Sequence, residues 1–161
     1  MPRERTYRTE AIVIRRSDFG EADRLLTLFS VDRGKVRAVG KGARKPQSRK
    51  TGHVELFMRS KFLIAEGRDL DIVTQAEMVE AYAPLRDDLV RATYASYAVE
   101  LLDRFTVDDD PHGDIYELLA AALGWFARGP AGEMLLPARY YELRLLSLTG
   151  FQPRLFNCLH C

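Results

Sequence analysis

The spacing of apolar residues changes once along this chain, and that change limits what it can fold into. Up to about residue 80 apolar side chains recur at alternate positions, whereas beyond Tyr82-Ala83-Pro84 they recur every third or fourth. A period of two belongs to strands and one of 3.6 to helices, so a β-rich half precedes an α-helical half. This segregation gives an α+β class, divided at residues 1–80 and 81–161.

In the first half, Thr6 to Arg16 sets Ala11 and Val13 on one face and Ile12 and Ile14 on the other. Ser17-Asp18-Phe19-Gly20 reads as a turn, followed by a second strand from Arg24 to Ser30 with Leu26 and Leu28 opposite Leu25 and Phe29. After Asp32-Arg33-Gly34 comes a third over Lys35 to Val39, whose period predicts that Lys35 and Arg37 face solvent together with Val36 behind them. His53 to Ala65 and Leu70 to Ala76 supply two more around Glu66-Gly67-Arg68-Asp69. Five short strands fit a small barrel better than a sandwich. The second half predicts helices from Leu85 to about Phe105, from Ile115 to Gly129-Pro130, and from Met134 to Thr149 with Gly150 closing the last. The first of these rests on Leu85, Leu89, Ala92, Val99 and Leu102, with Asp87 and Asp88 in its opening turn.

Charge follows the same division. Residues 1–80 hold seventeen Lys and Arg against twelve Asp and Glu, and residues 81–161 hold seven against eleven. Within the basic half, Arg33, Lys35, Arg37, Lys41, Arg44, Lys45, Arg49 and Lys50 fall in an eighteen-residue span without one acid. Much of that span, Gly40 to Gly52, has three Gly and a Pro and reads as a long mobile loop. Cations so clustered neutralise phosphates and release condensed counterions, which supports sequence-independent nucleic-acid binding as against a merely solvated loop. Arg15 and Arg16 are candidate extensions of the groove. Phe19 and Tyr7 are candidates for base stacking, whereas Phe29, Phe57 and Phe62 read as core and Tyr94 and Tyr97 as packed within the first helix.

Other chemistries find less support. Apolar residues at 47% and charged residues at 29% exclude a disordered or collagen-like chain. The longest uncharged apolar run, Leu118 to Ala127, is half of what a bilayer helix needs, and the Arg-rich first ten residues are unlike a signal peptide, so a cytoplasmic protein is expected. Cys158-Leu159-His160-Cys161 has the spacing of half a tetrahedral zinc site, and Cys158 and Cys161 read equally well as ordinary terminal thiols. His53-Val54-Glu55 loosely echoes a zinc deaminase motif, yet Asn157 stands where that motif has proline and three helices intervene. No nucleophile elbow, phosphate loop or paired carboxylates are present, and no enzyme is expected.

Three segments carry a family likeness: Phe19-Gly20-Glu21-Ala22-Asp23-Arg24-Leu25-Leu26-Thr27-Leu28-Phe29-Ser30; Gly34-Lys35 leading to Gly40-Lys41-Gly42-Ala43-Arg44-Lys45-Pro46; and Leu145-Leu146 with Gly150-Phe151-Gln152-Pro153-Arg154-Leu155 before Cys158 and Cys161. In these the chain resembles RecO, the bacterial recombination mediator family. The resemblance implies a five-stranded OB-fold barrel, a helical C-terminal domain, and a zinc ribbon completed by a second cysteine pair that this sequence does not contain. It also implies binding to single- and double-stranded DNA, annealing of complementary strands, and nucleoid-associated work in DNA repair and recombination. RecR and single-stranded-DNA-binding protein (SSB) are the implied partners, and RecA is served indirectly by loading onto SSB-coated strands. Some relatives dock the acidic SSB tail on the helical domain. Two readings stand beside it: a protein-interaction adaptor, and a small-barrel RNA-binding factor.

Overall fold

A computed structural model of the chain describes residues 5–45, 53–158 and 160. Five strands, β1 (Thr6–Phe19), β2 (Asp23–Ser30), β3 (Gly34–Gly40), β4 (Arg59–Ala65) and β5 (Asp71–Glu80), close a barrel in the order β1-β2-β3-β5-β4. All neighbours are antiparallel except β3 and β5, which meet in parallel at Ala38 and Asp71. The helices α1 (Pro84–Asp87), α2 (Leu89–Phe105), α3 (Gly113–Arg128) and α4 (Leu135–Leu148) follow. The α+β architecture is the one expected, with an OB-type barrel ahead of the helices. Among the described residues no helix is long and apolar enough to cross a membrane.

Both faces of β1 are apolar because both are covered. Ala11 and Val13 turn inward to meet Leu26, Leu28, Ala38, Phe62, Ile64 and Val73 in the barrel core. Ile12 and Ile14 turn outward and, with Phe29, join the helical core of Val99, Leu102, Ile115, Leu119, Phe126 and Tyr141. One apolar cluster therefore runs from the outer barrel wall through the helices. Each fully buried Leu, Ile or Phe contributes roughly 1.5–3 kcal/mol of transfer free energy, so this wall fixes where α2 and α3 lie.

Four expected boundaries move. β1 runs on to Phe19 because Arg15 to Phe19 pair with Asp23 to Thr27, leaving only Gly20, at φ 60°, and two residues to turn. β4 starts at Arg59, not His53, since Phe57 adopts φ 68° and enters the helical core while its N–H donates to Val13. β5 continues to Glu80, paired with Arg59. The single helix expected from Leu85 to Phe105 is two. Asp88 is extended, with φ −116° and ψ 122°, and its carboxylate accepts the Arg91 N–H at 2.9 Å, starting α2 afresh. Leu89, expected on the buried face, is exposed.

Glu10 ties barrel to helices. Its Oε1 accepts from Arg59 Nε at 2.6 Å and from the Tyr116 hydroxyl at 2.9 Å. Burial, then the hydrogen bond to Glu10, hold the Tyr116 phenol above its ordinary pKa near 10. The raised folded value means that this group's contribution is complete below pH 10 and is lost as pH rises past it. Tyr116→Phe should cost about 1 kcal/mol in urea unfolding at pH 8, and its deficit against the native chain should shrink above pH 10.

Candidate nucleic-acid interface

The outer face of β1, β2 and β3 carries the exposed cations, and a bulge decides which β1 residue joins them. Val13 pairs with Leu28 and Arg15 with Thr27, so Ile14 is an extra residue and strand parity changes there. Without the bulge Arg15 would point into the barrel. With it, Arg15, Thr27 and Arg37 form one cross-strand row, bordered by Ser17 and Leu25 in a hollow of about 440 Å³ whose far wall is Asp103 and Asp108. Arg37 is exposed and forms no ion pair with any described residue.

At the end of β3 the backbone makes a sharp, hydrogen-bonded turn over Gly40–Lys45, while the remainder of the long mobile loop expected up to Gly52, residues 46–52, lies outside the described residues. Gly42 takes φ 67° and donates its N–H to Asp23 Oδ1 at 2.7 Å, while Ala43 and Lys45 donate to the carbonyls of Gly40 and Gly42. Ala43 is fully buried and plugs the barrel end. The turn therefore holds Lys41, Arg44 and Lys45 at the surface, all three exposed. The Arg44 guanidinium lies 3.6 Å from Asp18 and 3.4 Å from the Gly20 carbonyl. Arg49 and Lys50 lie outside the described residues.

Lys35 is a correction. Strand period does put it on the side of Arg37, but the C-terminal end of α2 covers that end of the face. Its ammonium sits 2.9 Å from the Asp103 carbonyl, 3.0 Å from the Asp103 carboxylate and 3.6 Å from Asp108, and the residue is 8% exposed. Arg33 is exposed at the opposite end of β3 from Lys41, stacked 3.6 Å over the Tyr7 ring and 3.5 Å from Glu66. Arg16 pairs with Glu55, which also lies 3.9 Å from Arg24. Arg15 pairs with Asp103 and remains mostly exposed. The span of eight cations thus divides: Arg37 lines one hollow with Arg15; Lys41, Arg44 and Lys45 are exposed on the turn that follows the same strand; Lys35 is covered; Arg33 lies at the other end of β3; and Arg49 and Lys50 lie outside the described residues.

Of the stacking candidates, Phe19 is exposed beside Gly20, while Tyr7 is capped by Arg33 and donates its hydroxyl to Asp71 at 2.6 Å. Phe29, Phe57 and Phe62 are core. Tyr94 packs on Phe126, but Tyr97 is exposed and donates to Glu142. His53 Nδ1 accepts the Met78 N–H and Glu55 is taken by arginines, so the deaminase echo is structural. Cys158 is exposed and Cys161 lies outside the described residues, among which no group of three potential ligands could hold a metal.

Asp103 went unnoticed in the sequence. An acid in the last turn of a helix opposes the dipole there, and that anomaly was its signal. Also unread was a groove of about 1110 Å³ between α3 and α4, where Trp125 and Tyr140 meet edge to face at 5.4 Å beside exposed Leu135 and Leu136, with Arg128 and Arg139 at its rim.

Comparison with known proteins agrees with this architecture. Residues 2–82 match the family model "Recombination protein O N terminal" and residues 86–161 match "Recombination protein O C terminal". DNA repair protein RecO of Desulforamulus reducens is 44% identical over 155 residues, covering 96% of this chain and 59% of that protein. The Roseiflexus sp. protein of that name is 44% identical over 159 residues, covering 99% and 55%, and the Bifidobacterium adolescentis one 43% over 157 residues, covering 96% and 63%. The chain therefore spans somewhat over half the length of these relatives. With both halves matched in order along nearly all its residues, the chain belongs to the RecO family of DNA repair proteins.

Proposed function

We propose that the chain binds single- and double-stranded DNA without catalysis, through Arg37, Lys41, Arg44 and Lys45, with Arg15, Arg49 and Lys50 extending the track. The observation that carries this is the turn at Gly40–Lys45, which holds three exposed cations at the end of the strand that bears Arg37, itself exposed and without an ion pair among the described residues. Phosphates need neutralising charge and weak, exchangeable contacts if two complementary strands are to be held and released, and no bond-making residue is required. On this reading the protein anneals strands and, with RecR, helps load RecA onto SSB-coated DNA in the nucleoid. The α3–α4 groove, apolar with Arg128 and Arg139 at its rim, fits an acidic peptide with apolar side chains, and the SSB tail is acidic. Zinc remains a proposal confined to Cys158 and Cys161 as two of four thiolates, the other two coming from outside this sequence.

The test is annealing of complementary oligonucleotides coated by SSB, with binding measured across salt. If about five phosphates are engaged, log K falls against log salt with a slope of about −3 to −4 for single strands. A flat dependence would favour the adaptor reading, and tighter binding to RNA than to DNA of equal length the RNA-binding one.

A further inference from the structure

The Arg15–Asp103 ion pair has two unequal halves. Asp103 Oδ1 and the Asp103 carbonyl are held by Lys35, whose side chain is only 9% exposed, whereas Oδ2 is held by Arg15, whose side chain is 69% exposed. When Arg15 leaves, the carboxylate keeps its buried partner. An exposed pair of this kind is worth little in water, so a phosphate can take Arg15 from it at small cost. The pair also stands between two hollows of the seam where α2 crosses the barrel. On one side lies the hollow of Thr27 and Arg37, about 440 Å³; on the other lies one of about 430 Å³ floored by Ile14 and Val99 and edged by Glu100 and Arg104. Arg15 and Asp103 line both.

We propose that Arg15–Asp103 is a latch: a DNA phosphate draws Arg15 away from Asp103, joins the two hollows into one groove, and lets a single strand pass from the β1–β2–β3 face along α2 towards Arg104. Asp103 is then an internal competitor that keeps the contact exchangeable, and Lys35 anchors that competitor in place. The proposal rests on the DNA-binding reading given above.

The experiment is a fluorescence-polarisation titration of the full chain with a labelled oligothymidylate. Asp103→Asn retains an oxygen for Lys35 and removes the charge that competes for Arg15, so affinity should rise about threefold or more. The gain should vanish in Arg15→Gln/Asp103→Asn, and Glu117→Gln, an equal change of charge at an exposed α3 residue that lines neither hollow, should not reproduce it. An Asp103→Asn affinity unchanged, or a gain that survives loss of Arg15 or appears equally in Glu117→Gln, overturns the latch while leaving DNA binding intact. If the native chain does not bind the oligonucleotide, both readings fall. Should Asp103→Asn not fold, Arg15→Gln and Arg37→Gln decide: the latch requires Arg15→Gln to lose about threefold less affinity than Arg37→Gln, and equal losses refute it.

Discussion

Reversing Lys41, Arg44 and Lys45 to Glu together should lower affinity for single-stranded DNA at least about tenfold at moderate salt and flatten its salt dependence. The three side chains sit on one tight turn, all exposed. Replacing them removes three of about five phosphate contacts, which takes the slope of log K against log salt from about −3.5 to about −1.4, and adds three like charges beside a polyanion. Stability should change little. What orders the turn is chiefly backbone bonding and the buried Ala43 methyl, and the Arg44 contacts with Asp18 and the Gly20 carbonyl are exposed ones that contribute little. An unchanged polarisation titration on a normally melting triple variant removes this surface from the function. A loss of binding accompanied by a lower melting temperature would instead place the cause in the fold. Lys35→Met is the useful contrast: Lys35 belongs to the same cationic span in the sequence, yet its ammonium is occupied by Asp103 and Asp108, so its loss should register in stability ahead of DNA affinity.

These outcomes follow the line between what local pattern could and could not reveal. Alternation located β2 and β3 to within a residue, because each has one face in the barrel core and alternation records exactly such a division. The two apolar faces of β1 were equally plain, and their reason emerged only with the helices laid on Ile12 and Ile14. Parity failed where a residue was inserted: nothing in Ile14-Arg15 announces a bulge, although the bulge is what turns Arg15 outward. It also failed for Lys35, placed on the correct side and then covered by an aspartate 68 positions away. Over Gly40–Lys45 glycine content hid an ordered turn, since Gly40 and Gly42 serve there to let Ala43 close back onto the barrel. The helix break at Asp88 was hidden because an acid that favours a first turn equally favours capping a new helix.

Gly34→Ala should be strongly destabilising for so small a substitution. Gly34 begins β3 with φ 68°, a left-handed conformation that costs an alanine about 1–2 kcal/mol. A Cβ there would also lie 2.1 Å from the Asp110 carbonyl oxygen, and that neighbour is backbone, unable to swing aside as a side chain could. The segment above it is fixed from the same side, for the Asp109 N–H donates to the Lys35 carbonyl at 3.1 Å and Asp108 bridges to Lys35. Accommodating the methyl means lifting this crossing off the barrel, an overpacking cost of about 1–3 kcal/mol. Together these put the loss at about 3 kcal/mol, a fall in Tm of roughly 6–12 °C for a chain of this size. Gly20→Ala separates the two contributions. Gly20 has φ 60° but nothing within 4 Å of where its Cβ would stand, so it carries the conformational cost alone. If Gly34→Ala melts no lower than Gly20→Ala, the 108–110 crossing yields freely, and the glycine at position 34 is required by its turn alone. A melting temperature several degrees lower establishes that this glycine is where the inter-helix connection locks onto the barrel, at the foot of the strand whose next residue anchors Asp103.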